Sequence, residues 1–248
     1  MKSLENRLAL VTGASSGIGA AIARALAAAG ASCVLAARRT DRLDRLASEL
    51  GDCERVALDV RDAAAVMAAL EGREFDIAVA NAGLGLGLEP MQRGDPEDWS
   101  TMIDTNVKGL LHTLRAVAPG MERRRRGDIV LIGSVAGRQV YPGGNVYCAS
   151  KWAVRGIYEA LRIDMAGSGV RITTVDPGMV RTDFSLVRFK GDSERASKVY
   201  EGVEALTPGD VADAVAYAVT RPAHVNIGEI VIWATAQAST TVLTREHR

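Results

Sequence analysis

Short apolar runs alternate with longer stretches rich in Ala, Leu and Arg along almost the whole of this 248-residue chain. The runs have the composition of β-strands, and the stretches between them repeat their apolar residues with helical period. Some runs are apolar throughout, such as 33–37 and 129–132, which is typical of strands covered by helices on both faces of a sheet. The alternation predicts an α/β fold, a doubly wound parallel sheet of about seven strands at about 7–12, 32–37, 54–58, 76–80, 128–133, 170–175 and 228–233.

One segment departs from this alternation. The chain has no Pro/Ser-rich linker and no break in composition, so a single domain spanning 1–248 is predicted. Within it, the segment 184–207 begins with residues that match neither a clean strand nor a clean helix. Long excursions at the carboxyl end of a strand in such folds are commonly active-site lids. We therefore interpret 184–207 as a substrate lid, with an ordinary surface insertion as the alternative.

The charge composition argues against large charged partners. Thirty basic and thirty acidic residues cancel, so no overall charge attracts the chain to nucleic acid or to an anionic membrane. The four arginines at 123–126 have no aromatic residues among them and precede a predicted strand, which indicates a solvated helix C-terminus. The expected partner is a small molecule, and any charge on it must be met by local side chains.

Cysteine usage and hydropathy favour a cytoplasmic protein. Cys33, Cys53 and Cys148 are odd in number and lack CxxC spacing, so we expect reduced thiols and neither a disulfide framework nor a metal site. The amino-terminal apolar run is too short for the core of a signal peptide, and nowhere do about eighteen apolar residues follow one another. No membrane association is therefore predicted.

A glycine-rich turn follows the first predicted strand. Gly13, Gly17 and Gly19 fall within 12–19, directly before a helix. In this context the first glycine makes a tight turn, the second lets backbone N–H groups approach a pyrophosphate, and the third lets helix and strand pack closely. The motif predicts a Rossmann-type dinucleotide site. A glycine-rich turn without a ligand is the alternative, which the strand before and the helix after make less favourable.

Two arginines end the second predicted strand, where an NAD site would carry an acidic residue for the ribose 2′-hydroxyl. Small Ala37 is followed by Arg38 and Arg39. Charge-assisted hydrogen bonds from these arginines to a 2′-phosphate are worth about 1.5–3 kcal/mol each, which predicts NADP(H) as the cofactor. One of the two could instead be a surface side chain that caps the next helix.

Polar residues then recur at the ends of the later strands. The motif Asn-Ala-Gly follows the fourth strand at 81–83, Asn106 lies in the next helix, Ser134 follows the fifth strand, and Tyr147 precedes Lys151 by four residues. Together with the glycine-rich turn, these residues resemble the short-chain dehydrogenase/reductase family, whose Asn/Ser/Tyr/Lys tetrad the chain matches residue by residue. The resemblance covers essentially the whole chain.

The spacing of Tyr147 and Lys151 supports this assignment on physical grounds. Residues i and i+4 share one face of a helix, so the two side chains are able to act together. Lowering a tyrosine pKa from about 10 to about 7 requires about 4 kcal/mol. An ammonium at ~4 Å supplies about that much at an effective dielectric constant of ~20. Lys151 is therefore expected to be sufficient to activate Tyr147, and an oxidised nicotinamide would add to its effect.

The resemblance implies roles for individual residues. Tyr147 is the general acid of reduction and the base of oxidation, Ser134 binds the reacting oxygen, Lys151 also holds the nicotinamide ribose, and Asn106 holds a relay water. Ser134 as a turn residue and Asn106 as a helix-bending core amide remain alternatives. The resemblance also implies a homotetramer. The implied cofactor residues are Gly13, Ser15, Ser16, Gly17, Ile18, Gly19, Arg38, Arg39, Asp59, Val60, Asn81, Ala82, Gly83, Tyr147, Lys151, Pro177, Gly178, Val180 and Thr182.

Three stretches, at 99–106, 187–192 and 222–227, resemble one branch of the family, the NADP-dependent 3-hydroxy acid dehydrogenases. This implies a small anionic substrate such as serine, allo-threonine or malonic semialdehyde, or sulfoacetaldehyde as in close relatives. Besides Ser134, the candidate substrate residues are Arg138 and Arg188, with Arg181 and Lys190 nearby. A reductase of bulkier carbonyl compounds and a non-catalytic nucleotide sensor are the alternatives.

Overall fold

All the predicted strands are present in the computed structural model, which describes residues 3–245. They form one parallel sheet in the order β3-β2-β1-β4-β5-β6-β7. Its strands are β1 (Leu8–Thr12), β2 (Ser32–Ala37), β3 (Cys53–Ala57), β4 (Ile77–Ala80), β5 (Gly127–Ile132), β6 (Val170–Pro177) and β7 (Glu229–Ile232). The order reverses between β1 and β4, and ligands bind at such a switch point, beyond the carboxyl ends of the strands. The predicted doubly wound, single Rossmann-type domain is confirmed.

Helices cover both faces of the sheet. They are α1 (Gly17–Ala28), α2 (Thr40–Leu50), α3 (Ala63–Leu70), α4 (Pro96–Ile103), α5 (Gly109–Arg124), α6 (Asn145–Asp164), α7 (Phe184–Arg188), α8 (Ser193–Lys198) and α9 (Pro208–Val219). Helices α1, α2 and α9 pack on one face, and α3, α5 and α6 pack on the other. Strand β1 shows why the strands are apolar on both faces. Val11 packs into the core on the side of α1, α2 and α9, and Leu10 packs into the core on the side of α3, α5 and α6.

Two segments differ from the expected pattern. The helix predicted around Asn106 is interrupted by a π-helical turn at Asp104–Lys108, between α4 and α5. Such turns are rare and occur mostly at functional sites. The segment 184–207, which looked irregular in sequence, contains the two short helices α7 and α8. Both departures lie beside the carboxyl edge of the sheet.

The arginine run at 123–126 is a helix end, as expected. Helix α5 ends at Arg124, and Arg125 takes a left-handed conformation with φ of 53°. Arg124 and Arg126 lie near Asp76, at 3.4 and 3.6 Å. Within 3–245, none of the helices is both long and apolar enough to cross a membrane.

Candidate active site

A cavity of about 490 Å³ opens at the carboxyl ends of the central strands. Every residue that the sequence assigned to a cofactor lines it, from the glycine-rich turn to Thr182. Ser134 and Arg188 line it as well. Such a cavity is large enough for a dinucleotide with a small substrate beside it. The structure therefore brings together residues as far apart in the sequence as Gly13 and Arg188.

The glycine-rich turn has a backbone conformation and packing that leave no room for side chains at its glycines. Gly13 and Gly17 have φ of +68° and +54°, a region that only glycine adopts readily. A Cβ on Gly19 would lie 2.4 Å from the carbonyl oxygen of Gly13 and 2.5 Å from Nδ2 of Asn81. Asn81 Nδ2 donates to the carbonyl oxygen of Thr12 at 2.8 Å, which holds β4 against this turn. The start of α1 is thus left open to a phosphate.

We expect Gly19→Ala to destabilise the protein by about 1–3 kcal/mol, because the new methyl group overlaps the Gly13 carbonyl. Urea unfolding would measure this loss. Gly156→Ala is a matched control, since Gly156 lies within α6 and a Cβ there would have no neighbour within 4 Å. Alanine has the higher helix propensity, so the control should be as stable as the parent chain or more stable. Equal stability of both variants would contradict the tight packing of the turn.

The two arginines after β2 have different surroundings. Arg39 Nη2 donates to Oγ of Ser16 at 2.6 Å and to Oγ of Ser15 at 3.1 Å. Arg38 is 58% exposed, and its Nη1 lies 4.0 Å from Asp59. Arg39 is the N-cap residue of α2, but its side chain makes no capping hydrogen bond, which argues against a helix-capping role for it. Three donors converge at Arg39, Ser15 and Ser16, and this group fits a phosphate on the adenosine ribose.

Tyr147 lies at the inner wall of the cavity. Burial raises the pKa of Tyr147, and the charge of Arg188 and a hydrogen bond with Ser134 oppose this rise. The sequence-based expectation that Lys151 alone lowers this pKa is therefore not met. Burial is the largest cause of this rise, and Lys151 is not among the groups that oppose it. Nζ of Lys151 donates to the carbonyl oxygen of Ile132 at 2.9 Å. Burial also lowers the pKa of Lys151 to about 8, with Asp176 opposing the change.

Arg188 reaches into the cavity from α7 in the candidate lid. Its guanidinium carbon lies 4.9 Å from the ring centre of Tyr147, 4.8 Å from that of Phe184 and 5.8 Å from that of Tyr141. Nη2 donates to the hydroxyl of Tyr141 at 2.9 Å. Among the residues described, Nε is buried and has no hydrogen-bond partner. A cation with a free donor thus lies beside the phenol of Tyr147.

Asn106 is placed differently from the rest of the tetrad. Its Nδ2 donates to the carbonyl oxygen of Leu84 at 2.8 Å and to Oγ of Ser150 at 3.0 Å, and its Oδ1 accepts from the Leu84 N–H at 2.8 Å. The side chain therefore braces the π-helical turn and lies outside the large cavity. Asn106 and Lys151 both line a separate small cavity of about 10 Å³. That volume is close to what a single water molecule requires.

The structure places the other candidate substrate cations outside the cavity. Arg138 donates through Nε to Asp176 at 2.7 Å and also pairs with Glu229, so its assignment as a substrate residue is corrected. Arg181 lies over the ring of Tyr200, at 4.9 Å from its centre. Lys190 pairs with Asp98 at 3.0 Å and with Asp95 at 3.4 Å. All three guanidinium or ammonium groups are occupied by internal partners, which the sequence spacing did not indicate.

Several cavity residues were not predicted individually from the sequence, although Phe184 begins the predicted lid. Tyr141 and Phe184 flank Arg188, and Thr105 has a buried hydroxyl with no partner among the described residues. Gln237 and Thr240 come from the segment after β7 and also line the cavity. Gln237 Oε1 accepts from the Met179 N–H at 2.8 Å. No local pattern in a single sequence marks such a tail as part of a site.

Comparison with known proteins agrees with this geometry. Residues 7–192 match the family model described as short chain dehydrogenase. NADP-dependent 3-hydroxy acid dehydrogenase YdfG of Salmonella typhi is 50% identical over 230 residues, which cover 90% of this chain and 93% of that protein. Sulfoacetaldehyde reductase 2 of Chromohalobacter salexigens is 45% identical over 240 residues, which cover 93% of this chain and 95% of that protein.

A solved structure described as the closed form of serine dehydrogenase complexed with NADP+ superposes with a TM-score of 0.92. It is 44% identical in sequence and covers 97% of this chain and 100% of its own. The sheet, the glycine-rich turn and the residues around Tyr147 define a Rossmann-type oxidoreductase. The chain belongs to the short chain dehydrogenase family, and the resemblance drawn from the sequence is confirmed.

Proposed function

We propose that this protein oxidises a small 3-hydroxy acid with NADP+ and reduces the matching semialdehyde or oxo acid in the reverse direction. It is an NADP-dependent oxidoreductase acting on CH–OH groups, in keeping with its family and relatives. The observation that carries the substrate class is Arg188, whose cationic group lies 4.9 Å from the ring centre of Tyr147 and has a buried, unpartnered Nε among the described residues. A carboxylate would satisfy that donor while the hydroxyl reaches Tyr147.

In the proposed reaction Tyr147 removes the hydroxyl proton of the substrate, and Ser134 donates a hydrogen bond to the same oxygen. NADP+, when bound, accepts the hydride from the substrate carbon and adds a positive charge near the phenol. The charge of Arg188 and the hydrogen bond with Ser134 favour the phenolate form of Tyr147, against the effect of burial. Lys151 further binds the nicotinamide ribose, and the small cavity between Lys151 and Asn106 holds the relay water.

The remaining cofactor contacts follow from the lining of the cavity. The glycine-rich turn holds the pyrophosphate at the start of α1. Arg39, Ser15 and Ser16 bind the 2′-phosphate, and Asp59 and Val60 flank the adenine. The turn at 177–182 lies against the nicotinamide carboxamide. The segment 184–207 is the substrate lid, since Phe184, Arg188 and Tyr200 all line the cavity from it.

A substrate panel tests the proposal. Steady-state rates would be measured with L-serine, L-allo-threonine and 3-hydroxyisobutyrate for oxidation, and with malonic semialdehyde and sulfoacetaldehyde for reduction. We expect turnover of at least one acid with NADP+. Preferred reduction of sulfoacetaldehyde would keep the anion site and change the substrate, as the likeness to a sulfoacetaldehyde reductase allows. Negligible rates throughout, or a preference for long or cyclic carbonyl compounds, would contradict the proposal.

We expect Arg188→Met to raise KM for the acidic substrate by about 10- to 100-fold, because a charge-assisted hydrogen bond is worth about 1.5–3 kcal/mol. Methionine keeps most of the apolar contact with Phe184. Lys190→Met is the matched control on the same segment, since Lys190 is 58% exposed and pairs only with Asp95 and Asp98 among the described residues. It should change KM by less than about threefold. Equal effects of the two substitutions on KM would mean that Arg188 does not bind the acidic group of the substrate.

We also infer the quaternary structure, from exposed apolar side chains on two helices. Leu111 on α5 and Trp152 and Ile163 on α6 are large apolar residues that are 45%, 48% and 76% exposed. Their exposure supports association of copies through these helices into a homotetramer. Light scattering after size exclusion measures the mass directly. A cytoplasmic location remains a prediction from the sequence.

A further inference from the structure

An ion pair with a buried carboxylate joins the two turns that flank Tyr147. Arg138 lies four residues after Ser134, at the end of the short turn Val135–Gly137. Asp176 lies one residue before Pro177, at the end of β6. Nε of Arg138 donates to Oδ2 of Asp176 at 2.7 Å, and the Asp176 side chain is only 6% exposed. The pair therefore connects the segment after Ser134 with the end of β6, which leads into the turn at 177–182.

The local packing leaves this carboxylate little freedom. A Cβ on Gly133 would lie 2.0 Å from Oδ1 of Asp176, so glycine is needed there for the side chain to fit. Oδ1 also accepts from the hydroxyl of Thr174 at 2.7 Å. Above the pair, Oγ of Ser134 lies 3.5 Å from the carbonyl oxygen of Pro177, so the two turns meet at the proposed substrate oxygen site. The carboxylate of Asp176 is therefore held against Gly133, the residue before Ser134.

We propose that Asp176, held by Arg138, is a positioning residue that sets the geometry of Ser134 against Pro177 and provides the counter-charge behind Lys151. Lys151 reaches the same region, because its Nζ donates to the carbonyl oxygen of Ile132, the residue before Gly133. A Cβ on Gly137 would lie 2.5 Å from the Lys151 carbonyl oxygen, which packs the turn directly onto α6. The inference rests on the roles proposed above for Ser134 and Lys151.

The charges around Asp176 come from three elements. Arg138 follows the turn at Val135–Gly137, Glu229 begins β7, and Arg155 lies on α6 at 3.6 Å from Glu229. Arg162 and Tyr158, also on α6, lie nearby and interact with Glu229. Of all these groups, Asp176 is the one whose charge raises the pKa of Lys151, against the lowering by burial. Removing this charge should therefore let the pKa of Lys151 fall further below about 8.

The test uses Asp176→Asn, which keeps the shape of the side chain and removes its charge. The matched control is Asp128→Asn, because Asp128 is bound by Arg171 at 2.6 Å on the same two strands, at their far end from the cavity. Circular dichroism and thermal unfolding would show whether each variant is folded. Tryptophan fluorescence would give the NADP+ dissociation constant as a function of pH, and steady-state kinetics would give kcat and KM.

For Asp176→Asn we expect kcat to fall about 10- to 100-fold, with KM changed less than about threefold. The alkaline limb of the oxidation profile should move toward neutral pH by about one unit, since Lys151 loses its charge earlier. The rise of the NADP+ dissociation constant at alkaline pH should move with it. Asp128→Asn should lose stability and leave both pH profiles unchanged.

An unmoved alkaline limb in both measurements would overturn the inference, because a purely structural role costs stability without changing the charge of Lys151. If Asp176→Asn does not fold, the double variant Arg138→Gln/Asp176→Asn replaces it, since it leaves no buried charge unpaired. That variant should show the same shift of the alkaline limb. Absence of all activity in the parent chain, with the shift in NADP+ binding still present, would reject the proposed function and retain the inference.

Discussion

Tyr147→Phe should lower kcat for oxidation by about 10²–10⁴ or more, because it removes the group that accepts the substrate proton. The ring itself should stay in place, since its contacts with Phe184, at 5.4 Å between ring centres, and with Arg188 do not involve the hydroxyl. NADP+ affinity, measured by fluorescence, should therefore change by less than about threefold. Single-turnover kinetics would separate the chemical step from cofactor binding.

Tyr141→Phe is the matched control for this substitution. Tyr141 lines the same cavity and its hydroxyl accepts a hydrogen bond from Arg188 at 2.9 Å. We expect its loss to raise KM for an acidic substrate and to lower kcat only about threefold or less, because Tyr141 orients Arg188 and transfers no proton in the proposed reaction. Comparable losses of kcat in both variants would contradict the assignment of Tyr147. Normal turnover in Tyr147→Phe would mean that another group accepts the proton. An unchanged biological phenotype with retained cofactor binding would indicate a non-catalytic nucleotide sensor.

Arg39→Ser should lower the preference for NADP+ over NAD+ by about 10- to 100-fold, since one charge-assisted hydrogen bond to phosphate is worth about 1.5–3 kcal/mol. The structure ranks the two arginines, which the sequence did not. Arg39 meets Ser15 and Ser16, whereas Arg38 is 58% exposed and lies near Asp59. Arg38→Ser should therefore have the smaller effect. The measurement is kcat/KM for each cofactor at a fixed substrate concentration.

Arg45→Ser serves as the control for charge alone. Arg45 lies on α2, is 75% exposed and pairs with Asp41, so it shares the local charge of Arg39 without reaching the cavity. Its loss should leave the cofactor preference unchanged within about twofold. If Arg39→Ser behaves like this control, the 2′-phosphate is recognised elsewhere. Comparable efficiency with NAD+ in the parent chain would overturn the cofactor assignment itself.

The sequence was sufficient for those features that depend on local pattern. Apolar runs separated by helical period predicted the parallel sheet, and the glycines at 13, 17 and 19 predicted the turn into α1. Most of the cofactor residues were implied by the family resemblance, and they line one cavity because the carboxyl ends of parallel strands meet at one edge of the sheet. These predictions required no knowledge of side-chain partners that are distant in the chain.

Features that depend on such partners could not be predicted. Arg138 was interpreted as a substrate residue because it lies near the predicted site in sequence. Its actual partners, Asp176 and Glu229, are 38 and 91 positions away, so the sequence did not reveal them. The pKa of Tyr147 was misjudged because helical spacing does not show how deeply its ring is buried, and burial is the main cause of the rise. Spacing also does not show that the Lys151 ammonium donates to the Ile132 carbonyl. The π-helical turn at Asn106 likewise results from its bonds to Leu84 and Ser150.

The central claim is that Arg188 lets this protein recognise a small acid by the negative charge of the acid. The most direct measurement compares kcat/KM for 3-hydroxyisobutyrate and for its methyl ester with NADP+, using the parent chain and Arg188→Met. We predict that the parent chain favours the acid by about 100-fold or more, and that Arg188→Met removes most of this preference by raising KM for the acid. Equal efficiency with acid and ester in the parent chain, or a preference that survives in Arg188→Met, would contradict the account.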